Sequence, residues 1–212
     1  MAHVVVIGAG QAGSSCVAKL RGEGFDGQIT LIGAEPVPPY QRPPLSKAYL
    51  LGEMAEERLY LRPVEFYEDQ DITLRLATRA VSVDAAAKTV TLEAEEVLQY
   101  DDLVFTTGSH PNTLPAKIGG ALDGVFTVRD LNDADTMAPR FKASAKVLII
   151  GGGYIGLEAA AVASKLGLNV TLVEMSERIL QRVAAPETST YFRELHQANG
   201  VDIREGVGLD HL

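Results

Sequence analysis

Arg42 and Lys47 stand in one short stretch, YQRPPLSKAYL (Tyr40 to Leu50), with two prolines between them. Pro36, Pro38, Pro39, Pro43 and Pro44 make up half of the chain's 10 prolines. Each proline fixes its own φ and restrains the residue before it, so the span reads as a stiff elbow. A rigid loop that presents two cations suits an anionic ligand. The plainer alternative is a surface turn with two solvated charges. Ser46 and Lys47 read as the first turn of a helix that follows the elbow.

Two glycine sets at the ends of apolar runs supply a second kind of chemistry. VVVIGAGQAG runs from Val4 to Gly13, and VLIIGGGYIG from Val147 to Gly156, an offset of 143 residues. Each is a short β-branched run, then G-x-G-x-x-G, then a helical pattern, then a second strand that ends on an acid. That order is one βαβ unit of a parallel sheet, present twice. Gly8 and Gly151 would turn the chain out of the strand. Gly10 and Gly153 would let backbone approach a pyrophosphate, and Gly13 and Gly156 would let the helix pack on the strand. Ala12 and Ile155 precede the third glycines and belong to the same binding turns. The helix start then offers free N–H groups and a partial positive charge to phosphates.

The acids refine the reading. Glu35 and Glu174 close the second strands, where a carboxylate can accept both hydroxyls of an adenosine ribose. The same charge repels a 2′-phosphate, so Glu174 favours NAD over NADP. Arg178 could soften that preference but reads more simply as a solvated charge on a helix face. Two nicotinamide sites in one chain would have little to do together. One flavin and one nicotinamide would make a hydride relay.

The bulk numbers bound the rest. The 212 residues are 46% hydrophobic and 22% charged, with a net charge of −9. An acidic chain argues against general nucleic-acid binding. No run is long enough to span a membrane as a helix. The apolar N-terminal run reads as a buried strand, and the chain as a cytoplasmic protein. The single cysteine, Cys16, excludes an internal disulfide or CxxC pair. The four histidines offer no metal-ligand spacing, so no metal site is expected. Glu56–Glu57 and Glu95–Glu96 read as solvated faces, and His110 as structural. Between the repeats, RAVSVDAAAKTVTLE predicts an antiparallel pair with AAAK as its turn, and DLVFTTG predicts a buried strand.

YQRPPLSKAYL, LYLR, YDDLVFTTGSHP, VRDLNDA and GGGYIGLEAA…VTLVEMSERIL occur in an order that resembles the FAD-dependent, NADH-oxidising ferredoxin reductases of bacterial oxygenase systems, the putidaredoxin and rubredoxin reductases among them. The resemblance covers essentially the whole chain, and the elbow is its most specific part. It implies an α/β fold with two Rossmann-like βαβ dinucleotide-binding domains of glutathione-reductase type, 1–113 for FAD and 114–212 for NAD. It also implies that this sequence is the N-terminal part of a chain roughly twice as long, in keeping with a multidomain protein. A returning Gly-Asp segment and a C-terminal domain would lie in the remainder.

The resemblance further implies site residues. Arg42 would reach the FAD pyrophosphate or ribose. Lys47 would sit near the flavin ring, where a cation stabilises added negative charge. Glu158, in the first turn of the second glycine helix, would lie near the nicotinamide and pair with Lys47; these two form the catalytic set. Tyr154 would shield the place where the nicotinamide stacks. Thr107 and Gly108 match the end of a motif that passes the FAD, with Thr106 replacing the usual alanine and adding a hydroxyl there. Arg129 matches a contact to FAD, and Ala80 a backbone contact to the adenine. Ala34 stands where several relatives carry aspartate, which leaves ribose binding more to Glu35. The implied acceptor is a [2Fe-2S] ferredoxin or a rubredoxin. Alternatives are an NADH oxidase, the flavin subunit of a nitrite reductase, or, from another class, a redox-sensing interaction protein like apoptosis-inducing factor.

Overall fold

Val4, Val5, Val6 and Ile7 are almost wholly removed from solvent, although neighbouring residues of a strand point to opposite faces. A strand covered on both sides is what a continuous β-branched run encodes. The computed structural model, which describes residues 1–212, shows how this is done. The elements around this run are β1 (His3–Ile7), α1 (Gln11–Gly22), β2 (Gln28–Ile32), α2 (Val64–Asp69), β3 (Ile72–Arg75), β4 (Ala80–Asp84), β5 (Thr89–Leu92), β6 (Val97–Gln99) and β7 (Asp102–Phe105). Parallel strands lie in the order β3-β2-β1-β7, with Ile7 opposite Ile32 on one side and Phe105 on the other. Val4 and Val6 pack with Val17, Ile29, Leu31 and Tyr67 on the helical face. Val5, Ile7 and Ile32 pack with Val90 and Leu92 on the other.

That second cover is the antiparallel sheet β4-β5-β6. Val83 lies opposite Val90, with the AAAK turn between them, as expected. The strand β7 corrects its expectation. It pairs only with β1, at the edge of its sheet, and Phe105 is 62% exposed. An edge position supplies neighbours on one side only.

Arg21 closes this unit from below. Its Nε donates to the Gln70 carbonyl at 2.7 Å, Nη1 to those of Phe25 and Gly27 at 2.7 and 2.8 Å, and Nη2 to that of Asp71 at 2.7 Å. One guanidinium thus ties the end of α1 to the turns before β2 and β3.

The later part of the chain adds α3 (Leu131–Met137), β8 (Lys146–Ile150), α4 (Tyr154–Lys165), β9 (Asn169–Glu174), α5 (Pro186–Ala198) and β10 (Asp202–Glu205). Its parallel sheet runs β10-β9-β8. Leu157, Ala160 and Ala163 of α4 pack with Val170 and Leu172 of β9. The 143-residue offset carries Val5 and Ile7 onto Leu148 and Ile150. The first pair is 0% and 9% exposed, the second 43% and 42%.

The chain thus divides into two compact units, Met1–Gln41 with Glu56–Ser109, and Arg42–Ala55 with His110–Leu212. The elbow segment from Arg42 therefore packs with the second glycine turn's unit. It does not open a regular helix. Pro43–Ser46 is a 3-10 turn, ended by Lys47 at φ −133° and ψ −114°. The Pro44 carbonyl accepts the N–H of both Lys47 and Tyr49, so no continuous helical ladder develops.

Candidate functional site

The two glycine turns are built alike. Gly8 has φ +116° and Gly151 has φ +105°, conformations open to glycine and rare for other residues. A Cβ on Gly13 would collide with the Gly8 carbonyl, and one on Gly156 with the Gly151 carbonyl. The middle glycines differ. Nothing lies within 4 Å of a Cβ built on Gly10 or on Gly153. The protein's own packing therefore does not demand glycine there, whereas a ligand brought close to the backbone would. Gly10 and Gly153 are also the N-caps of α1 and α4, and neither helix start has a side-chain cap or an acid in its first turn. Both cradles fit a phosphate-bearing group.

The surrounding residues sort by their partners. Glu35 accepts the Tyr40 hydroxyl at 2.6 Å. Ala12 and Ala34 are exposed, as are Thr107 and Gly108, and Ala80 is half-buried at the start of β4. The Thr106 hydroxyl donates to the Gly8 carbonyl at 2.8 Å and the Ile7 carbonyl at 3.2 Å, so it braces the first glycine turn.

Glu174 accepts the N–H of Gly152 and of Ser176, each at 2.7 Å. Burial pushes its carboxyl up. The two backbone donors, helped by the Ser176 side chain and then Arg182, outweigh that and hold it below the ordinary range. Arg178 lies in the loop after β9, not on a helix face. It donates to the Ala184 carbonyl and the Ser189 hydroxyl at 2.9 and 2.6 Å, which commits it to that loop.

Polar residues meet at a cavity of about 390 Å³ in the second unit, lined by Arg42, Pro43, Ser46, Lys47, Arg129 and Glu158 among others. Lys47 Nζ lies 2.6 Å from Glu158 Oε2, and also donates to the Pro43 carbonyl at 3.0 Å. Ser46 Oγ donates to the same Glu158 oxygen at 2.6 Å. Arg42 Nη1 donates to the Arg129 carbonyl at 2.6 Å, and Arg129 N–H donates to Asp133 Oδ2 at 2.7 Å. Glu158 is the fifth residue of α4, beyond the first turn where the helix dipole would favour an acid. Its partners fix it instead. Tyr154 and Ile155, at the start of α4, are 55% and 54% exposed. Ser46 and Asp133 were not among the expected site residues, and His110 and Pro111 prove to line the cavity. Only the adjacency of Ser46 to Lys47 hinted at the first.

Two glycine-turn units, each a parallel sheet with an open phosphate cradle, define an α/β architecture with two nucleotide-type cradles. The chain belongs to the pyridine nucleotide-disulphide oxidoreductase family, whose sequence profile matches residues 2–211. It is 45% identical over 201 residues to a ferredoxin–NAD(P)(+) reductase of Sphingomonas sp, covering 95% of this chain and 48% of that one. It is 41% identical over 207 residues to putidaredoxin reductase of Pseudomonas putida, covering 97% and 49%. Among solved structures it matches the covalent putidaredoxin reductase–putidaredoxin complex at a TM-score of 0.93 and 40% identity, over 98% of this chain and 50% of that one. The chain spans about half the length of the curated relatives it matches.

Proposed function

We propose that this chain belongs to an NADH-dependent flavoprotein ferredoxin reductase serving an oxygenase system. FAD, when bound, would supply the chemistry, accepting two electrons with a hydride from NADH and releasing them singly to a ferredoxin or rubredoxin. What this chain contributes is binding, alignment and charge. Residues 1–113 would hold the flavin nucleotide. Gly8, Gly10, Ala12 and Gly13 would offer backbone N–H groups to its pyrophosphate, with Ala34, Glu35, Arg42, Ala80, Thr107, Gly108 and Arg129 around it. Residues 114–212 would hold NADH at Gly151, Gly153, Tyr154, Ile155 and Gly156, with Glu174 on the adenosine ribose. Lys47 would stand by the flavin ring and Glu158 by the nicotinamide.

The observation that carries the reading is the Lys47–Glu158 pair on the proline elbow, at 2.6 Å, beside an open phosphate cradle. Support comes from the relatives' names, which describe ferredoxin, putidaredoxin and rubredoxin reductases. No helix is long and apolar enough to cross a membrane. A cytoplasmic location and a [2Fe-2S] or rubredoxin partner belong to the same proposal.

The test is the visible spectrum of this chain and of its full-length parent, before and after anaerobic NADH. A flavin band that bleaches with NADH, and more weakly with NADPH, supports the relay with Glu174 as selector. A parent that binds no flavin overturns it.

A further inference from the structure

Glu158 is held by two donors that differ in kind. Lys47 is a half-exposed ammonium, with 47% of its side chain in solvent. An ion pair of that sort is soft, because water screens it and a long side chain loses entropy in holding one pose. Ser46 is 4% exposed and carries no charge. Its hydroxyl sits on the last residue of the 3-10 turn, whose backbone Pro43 and Pro44 stiffen. Here two consecutive residues both reach one carboxylate oxygen. The Lys47 ammonium keeps a second partner in the Pro43 carbonyl at 3.0 Å.

We propose that Ser46 is the positioning residue for Glu158, anchoring its carboxylate independently of Lys47. The anchor leaves the ammonium free to turn toward negative charge brought into the cavity by a ligand without releasing Glu158. The elbow thus separates two tasks, a neutral hydroxyl for placement and a mobile cation for charge. The functional consequence rests on the reading that Lys47 serves the flavin and Glu158 the nicotinamide; the anchoring itself does not.

The experiment is side-chain NMR on the isotopically labelled 212-residue chain, unaltered and as Lys47→Met, Ser46→Ala and Ser46→Thr. Three-bond couplings report whether Glu158 occupies one rotamer or averages over several. Lys47→Met is expected to leave a single rotamer. Ser46→Ala is expected to give averaged couplings, and Ser46→Thr to restore the single rotamer. Ser46→Cys, which keeps the volume and weakens the donor, gives the same reading if Ser46→Ala does not fold. An ordered Glu158 without the hydroxyl, or an averaged one in Lys47→Met alone, overturns the proposal. In the flavin-loaded parent, Ser46→Ala should slow reduction at saturating NADH by about tenfold with little change in the NADH concentration needed, as expected for lost alignment. If the unaltered parent is not reduced by NADH at all, the ferredoxin-reductase reading fails, while the rotamer measurement still decides the anchoring.

Discussion

The carboxylate of Glu174 accepts the N–H of Gly152 at 2.7 Å, so the acid that ends β9 is tied to the glycine turn that ends β8. The residue expected to choose between nucleotides is therefore held in place by the turn beside it. A carboxylate has about four acceptor sites, and two backbone donors leave capacity for ribose hydroxyls.

This tie makes stability depend on pH in a defined direction. The folded carboxyl titrates below its ordinary value of 4.5. Its contribution is therefore fully present above the unfolded value and is lost as pH falls through the folded one. Glu174→Gln should cost roughly 1 kcal/mol near neutrality, as for one weakened hydrogen-bond set. The gap from the unaltered chain should close with acid below 4.5. Denaturant midpoints for both proteins across that range check it.

The glycines should divide by what an added methyl group meets. Gly8→Ala puts a Cβ against the Thr106 carbonyl at φ +116° and should cost about 3 kcal/mol or more. Gly10→Ala meets nothing within 4 Å and should leave the melting temperature almost unchanged. Flavin affinity, by titration of the parent, should fall in Gly10→Ala nonetheless. Equal loss of stability in both would refute the distinction.

Lys47→Met should change stability by less than about 1 kcal/mol, because the pair it breaks is partly solvated. Its expected effect is on the rate of flavin reduction by NADH in the parent. Stopped-flow absorbance beside thermal melting separates the two. A large stability loss with normal reduction would mean that Lys47 is structural.

Arg21→Lys keeps the charge and removes the fork that reaches the Gln70, Phe25, Gly27 and Asp71 carbonyls. A loss of roughly 2 kcal/mol is expected, since a compact ammonium cannot serve all four. Chemical denaturation measures it, and a loss near zero would show that water replaces the fork without cost.

The periodic and punctuated parts of the chain were the legible ones. Both glycine turns, both second strands and the Val83–Val90 hairpin follow from β-branched runs and turn residues, which act locally. The partners of the side chains did not. Ser46 and Glu158 meet across 112 residues, and no local pattern encodes that. Nor does any local pattern show that the Thr106 hydroxyl reaches the Gly8 carbonyl, brought near only by strand pairing. The elbow misled in another way. Prolines announce where a helix can begin but not whether later residues continue it, and Lys47 does not.

One inequality between the repeats bears on how this 212-residue chain comes apart. Val5 and Ile7 lie in the interior, whereas Leu148 and Ile150, at the same places in the later copy, are more than two-fifths exposed. The heat capacity of unfolding grows with the apolar area newly wetted. The β8 copy has already wetted part of that area, so it contributes less to the curvature of the stability curve than β1 does. Amide exchange should report the same asymmetry, with β8 losing protection before β1. Two copies of one motif, alike in trace, are then unequal in the heat they take up on melting.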